Sequence, residues 1–105
     1  MYVRLITYHV KPSVTGALAS SIYDELLSVM KPLAGFQGMS LLLNEEARTA
    51  MSLSYWEDQD SATVAGPVIL PLLMGRVESL VDRPPEVFGF DLVKHETQRS
   101  EPILR

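Results

Sequence analysis

The hydrophobic period of this chain changes back and forth along its length, and that alternation limits the folds open to it. Residues 2–10, YVRLITYHV, are rich in β-branched and aromatic side chains and predict a strand, which Lys11-Pro12-Ser13 ends. Leu18, Ile22, Leu26, Val29 and Leu33 then recur at spacings of three and four, the mark of an amphipathic helix. Ser13 or Thr15 can cap its start, and Pro32 and Gly35 close it. Residues 39–43, MSLLL, predict a second strand. In residues 50–56, AMSLSYW, the period is two: Met51, Leu53 and Tyr55 fall on one face, Ser52, Ser54 and Trp56 on the other. The polar NEEART between these strands suits a hairpin.

The rest of the chain repeats the pattern once. Asp58 can cap a short helix that Gly66-Pro67 interrupts, and Pro67 suits the first turn of another, VILPLLMGRVESLV. Ile69, Leu73, Val77 and Leu80 share one face of it, and Pro71 is early enough to be tolerated with a kink. The breaker RPPE precedes a fourth strand at 87–93, VFGFDLV. The order is βαββαβ, a ferredoxin-like α+β fold with a four-stranded antiparallel sheet. One domain is expected at 1–95, followed by a polar tail at 96–105. Helices on one side leave the other face of the sheet to water, yet neither strand face is clearly polar. Arg4, Ile6 and Tyr8 alternate with Val3, Leu5 and Thr7; Met39, Leu41 and Leu43 alternate with Ser40 and Leu42. A second copy of the same sheet is the simplest cover, so a homodimer is expected.

Composition removes several function classes. Thirteen acids against nine scattered bases give a net charge of −4, with no basic patch for nucleic acid or an anionic membrane. The longest uncharged run, 61–75, carries two prolines and is shorter than the roughly 20 residues of a membrane span. There is no cysteine, hence no disulfide, thiolate metal site or catalytic thiol. The opening MYVRLITYHVKP lacks the regions of a secretion signal, and a cytoplasmic location is expected. No histidine pair, calcium loop, phosphate loop or G-x-S-x-G elbow is present. Glu57, Asp58 and Asp60 cluster at a helix start, where acids serve the cap and the dipole.

Four stretches together resemble the antibiotic biosynthesis monooxygenase family of dimeric α+β barrels. These are VKPS at 10–13, PLAGFQGMSLL at 32–42, SLSYWEDQDSA at 52–62 and DRPPEVFGFDLV at 82–93. The resemblance implies two βαββαβ subunits pairing their sheets into one barrel, with a pocket between sheet and helices in each. It further implies either oxidation of an aromatic compound by molecular oxygen without metal or flavin, or haem degradation. The haem-degrading members combine the junction tryptophan with an asparagine on strand one and a histidine on helix two. Here the only asparagine is Asn44, and the only histidines are His9 and His95, so that ligand set is missing. No cofactor and no metal are expected.

The resemblance puts Trp56 at the pocket, either as a wall that stacks on an aromatic ligand or as a buried anchor for the second helix. Cofactor-free oxidation needs a group to take a proton from the substrate and groups to stabilise the resulting anion. Tyr8 and His9 are the catalytic candidates; Trp56, Arg4, Ser52 and Ser54 are the ligand-binding ones. His9 has the suitable pKa, or is simply a strand-end residue touching solvent. Tyr8 and His9 point to opposite faces, so at most one shares a pocket with Trp56, and the strand register decides which. Tyr8 is favoured because Arg4 lies on its face. Ser52 and Ser54 either hydrogen-bond in the pocket or make room for packing. The stretch VAGPVILPLLMG forms a bent lip over an apolar cavity or a kinked core helix. The expected function is a cofactor-independent monooxygenase-like protein acting on a small aromatic or quinol-type compound. The alternatives are a non-catalytic dimeric barrel that binds a small hydrophobic ligand or serves assembly, and an isomerase or decarboxylase on the same fold.

Overall fold

A computed structural model describes residues 1–96. In chain order the elements are β1 (Tyr2–His9), α1 (Gly16–Met30), β2 (Phe36–Asn44), β3 (Thr49–Trp56), α2 (Gln59–Val77), a 3-10 turn at Glu78–Leu80, and β4 (Glu86–Asp91). The strands form one antiparallel sheet in the order β2-β3-β1-β4, the ferredoxin-like arrangement expected from the sequence. Strand β2 starts three residues earlier than MSLLL suggests and carries a bulge between Phe36 and Gly38. Strand β4 spans Glu86–Asp91 rather than 87–93. The expected polar tail lies, beyond Glu96, outside the described residues.

Local chemistry sets the ends of the helices. The Leu18 N–H donates to the Thr15 hydroxyl at 3.2 Å to start α1, and the Ser61 N–H donates to the Asp58 carboxylate at 2.8 Å to start α2. After α1, Gly35 takes a positive φ of 81° and accepts the Glu57 N–H at 2.7 Å. A Cβ on Gly35 would stand 2.2 Å from the Ser61 hydroxyl oxygen, so only glycine lets the entry to β2 pass this close to the first turn of α2.

Helix α2 departs from the expected interrupted pair. It runs unbroken through Pro67 and Pro71. Each proline removes one N–H, and with it the usual donor to the carbonyl four residues back. Both prolines, and Thr63 before them, lie on the exposed side of the helix, where water can serve the freed carbonyls. The opposite side is buried through Ala62, Ala65, Ile69, Leu73 and Val77, and that packing carries the helix across the prolines. The outer side is also apolar: Val64 is 76% exposed, and Val68 and Leu72 are exposed beside it. With the 3-10 turn, the helical stretch Gln59–Leu80 has the length and apolarity of a membrane span, although the uncharged run inside it is shorter. The stripe on α1 is shifted too. Leu26 and Met30 are its buried residues, while Leu18 is exposed where the first turn of α1 borders an open groove beside β2.

Both helices pack on the face of the sheet carrying Ile6 and Tyr8 of β1, where Leu26, Leu73 and Val77 close one core cluster. A second cluster joins Met30, Trp56, Ala62, Ala65 and Ile69. Among the described residues, no helix covers the other face. Strand register assembles Val3 and Leu5, Met51, Leu53 and Tyr55, Leu42, and Phe88 and Phe90 there. The Phe88 and Phe90 rings stack with centroids 6.5 Å apart and are 42% and 54% exposed. The uncovered face is thus apolar, as the mixed strand patterns suggest.

Candidate functional site

The register of β1 against β3 decides which side chains meet. Tyr2 pairs with Trp56, Arg4 with Ser54, Ile6 with Ser52 and Tyr8 with Ala50. Side chains at paired positions share a face, so Arg4, Tyr8, Ser52, Ser54 and Trp56 all lie on the helix-covered side. His9 pairs with Thr49 and lies on the opposite side with Val3 and Leu5. The period of two therefore separates His9 from the other five candidates.

Opposite Tyr8, Ala50 presents only a methyl group, which leaves the phenol room to lean along the strand to the diagonal residue. The Tyr8 and Ser52 hydroxyls share a buried hydrogen bond of 2.8 Å. Burial pushes the Tyr8 phenol up to about 12 from its ordinary 10.0, with the Ser52 hydroxyl offsetting part of the rise. At neutral pH Tyr8 is a hydrogen-bonding phenol and not a base. Two residues further along β3 the same device recurs. The Trp56 indole Nε1–H donates to the Ser54 hydroxyl oxygen at 2.9 Å.

Trp56 is 1% exposed, and its ring meets Phe36 edge-on at 5.4 Å and 70°. An indole of this size removes about 150–250 Å² from water, a transfer gain of about 4–6 kcal/mol. This packing makes Trp56 the plug that joins the end of β3 to the start of α2.

Between sheet and helices is a cavity of about 60 Å³, bordered by Tyr8, Leu26, Met39, Ser52, Leu73 and Val77. A smaller space of about 20 Å³ lies at Arg4, Ser54 and Trp56, and Leu26, Met39 and Ser52 border both. The larger cavity also shares Ala19, Tyr23 and Leu41 with the open groove of about 440 Å³ between α1 and β2. Tyr23 stands at that junction and donates its hydroxyl to the Met39 carbonyl at 2.9 Å. A cavity that takes benzene measures about 150 Å³, so an aromatic ligand must widen the space along the α1 side. Among the described residues, the lining of the two cavities includes no carboxylate, imidazole or amine. The lining combines apolar walls with the Tyr8 and Ser52 hydroxyls, chemistry that suits an apolar ring bearing an oxygen once the space is widened.

Sequence reasoning missed Tyr23, Leu26 and Met39 as site residues. Leu26 belonged to the helical stripe and was legible as core. Nothing local marks Tyr23 or Met39, because their place depends on how α1 crosses β2.

No family model and no curated protein matches the chain. Solved structures do. A monooxygenase from the gene ActVA-Orf6 of Streptomyces coelicolor, in complex with nanaomycin D, superposes with a TM-score of 0.75 at 16% identity, covering 93% of this chain and 92% of that one. SnoaB, a cofactor-independent oxygenase from Streptomyces nogalater, gives 0.70 at 17% identity over 92% and 97% of the two chains. NE2512, a protein of unknown function from Nitrosomonas europaea, gives 0.73 at 17% identity over 94% and 95%. In element order, sheet topology and extent, this chain has a ferredoxin-like α+β fold similar to that of these proteins and of solved structures described as antibiotic biosynthesis monooxygenases.

Proposed function

We propose that this protein binds a small aromatic or quinol-type compound between its sheet and helices and oxidises it with molecular oxygen. The observation that carries this reading is the apolar cavity that has the buried Tyr8–Ser52 hydroxyl pair in its wall. A neutral phenol in such a wall donates to a ring oxygen, and the low polarity around it strengthens that bond. An activated ring methylene and one molecule of dioxygen give a ring carbonyl and one molecule of water. The substrate carbon loses both hydrogens and gains one oxygen atom, and the second oxygen leaves with those hydrogens as the water. Tyr8 orients the substrate oxygen, Ser52 holds Tyr8, and Trp56 fixes the floor on which both strands rest.

The working unit is a homodimer in this reading. The uncovered apolar face supports it, since exposed Phe88, Phe90, Leu42 and Met51 are what a second sheet would bury. The lack of cysteine accords with a reducing, cytoplasmic setting. A second reading, a barrel that binds its ligand without transforming it, is favoured by one observation: among the described residues the cavity lining has no base, and His9 is on the other face.

Oxygen uptake with a panel of anthrones and quinols separates the two. Oxidation requires uptake above the uncatalysed rate, saturable in substrate and reduced in Tyr8→Phe. Saturable binding without uptake selects the second reading, and absence of both refutes the site.

A further inference from the structure

We propose that the ligand of this site carries an anionic oxygen and that Arg4 is the residue that recognises it. This rests on the reading that the space between sheet and helices holds the ligand. Arg4 is on the helix-covered side of β1, half-buried, directly opposite Ser54 on β3 and Gly89 on β4. Its guanidinium lies against Gly66 of α2, where a Cβ would stand 3.4 Å from Nη1 and 3.7 Å from Nη2. At these distances the guanidinium is in van der Waals range of the helix at Gly66, which places it at the sheet–helix boundary.

Among the described residues, this guanidinium has neither an ion pair nor a hydrogen-bond partner. Asp91, the carboxylate opposite Tyr2 on the same face, does not pair with it, and the ion pair of the helices joins Arg76 to Glu25. A cation drawn partly out of water is costly unless an anion meets it.

Its surroundings offer donors. The Ser54 hydroxyl oxygen already accepts the Trp56 Nε1–H, so its own proton remains available to give. The Tyr2 hydroxyl lies over bare Gly89, beside Arg4 in the register, again without a partner among the described residues. A positive fork flanked by hydroxyl donors complements a carboxylate or a ring oxyanion. Because Leu26, Met39 and Ser52 border both cavities, the apolar body of such a ligand continues toward Tyr8. A ligand that enters as a ring oxyanion needs no protein base to become electron-rich, which accords with a lining that has none among the described residues.

Trp56 is the only tryptophan and borders the same space, so its fluorescence reports occupancy directly. The full chain is titrated with benzoate, with its neutral isostere benzamide, and with pentafluorophenolate, which is ionised at neutral pH. At least one anion binds about tenfold or more tightly than benzamide, the ratio expected of a charge-assisted hydrogen bond. Which anion binds better tells a carboxylate from a ring oxyanion. Arg4→Gln removes the preference, weakening the anions about tenfold more than it weakens benzamide. Arg4→Lys, which keeps the charge but loses the fork, narrows the preference and carries the comparison if the glutamine variant does not fold. Equal binding of anions and benzamide by the unaltered protein, or a preference that survives in Arg4→Gln, overturns the role of Arg4 and leaves the cavity reading standing. Failure of all three compounds to bind overturns both.

Discussion

The hydroxyl pair Tyr8–Ser52 gives a measurable test of how the site is built. Tyr8 is 5% and Ser52 7% exposed, and their oxygens are 2.8 Å apart. Tyr8→Phe keeps the ring and strands the Ser52 hydroxyl; Ser52→Ala strands the phenol. Leaving one buried polar partner unmatched costs about 1–3 kcal/mol, whereas removing both together is close to neutral. Each single change should therefore lower stability by about 1–2 kcal/mol, and the double change by about 1 kcal/mol or less, a coupling of about 1–3 kcal/mol. In a domain of this length 1 kcal/mol corresponds to about 4 °C or more in Tm. Urea unfolding followed by Trp56 fluorescence supplies the four free energies, at one fixed protein concentration because association shifts apparent stability. Additive single effects, with a double variant as unstable as their sum, would refute the claim that the two hydroxyls satisfy each other.

The same geometry sets expectations for alkaline stability and for association. With the Tyr8 phenol held at about 12 in the fold and 10.0 unfolded, stability is intact below pH 10 and is lost as pH rises toward 12, by about 3 kcal/mol for this group. Tyr8→Phe should unfold less steeply over that window in an alkaline titration followed by circular dichroism, and an unchanged slope would count against the buried neutral phenol. Phe88→Asp and Leu5→Asp place a charge on the uncovered sheet face at paired positions. Sedimentation equilibrium should show dimer in the unaltered protein and monomer in either variant; an unaltered protein that is monomeric at all concentrations would remove the proposed second sheet.

Much of the fold was legible in the residues. The alternation of periods gave the element order, and the AMSLSYW pattern gave the two faces of β3, because side-chain direction in a strand depends only on residue parity. Thr15 and Asp58 were readable as caps because capping is decided within three residues. The prolines of α2 misled, since their local cost is set against burial by distant β1 and β3 that no window of sequence contains.

The site divides the same way. Composition and order alone specified a βαββαβ chain with an unclaimed apolar sheet face and six polar or aromatic candidates on two strands. Only the tertiary structure decided that Tyr8 meets Ser52, that His9 faces away, that Trp56 is sealed against Phe36, and that Arg4 rests against Gly66. Each of these depends on strand register and on where a helix crosses the sheet. Contacts between residues 44 or 62 positions apart are fixed by packing the whole chain at once, not by any stretch of it.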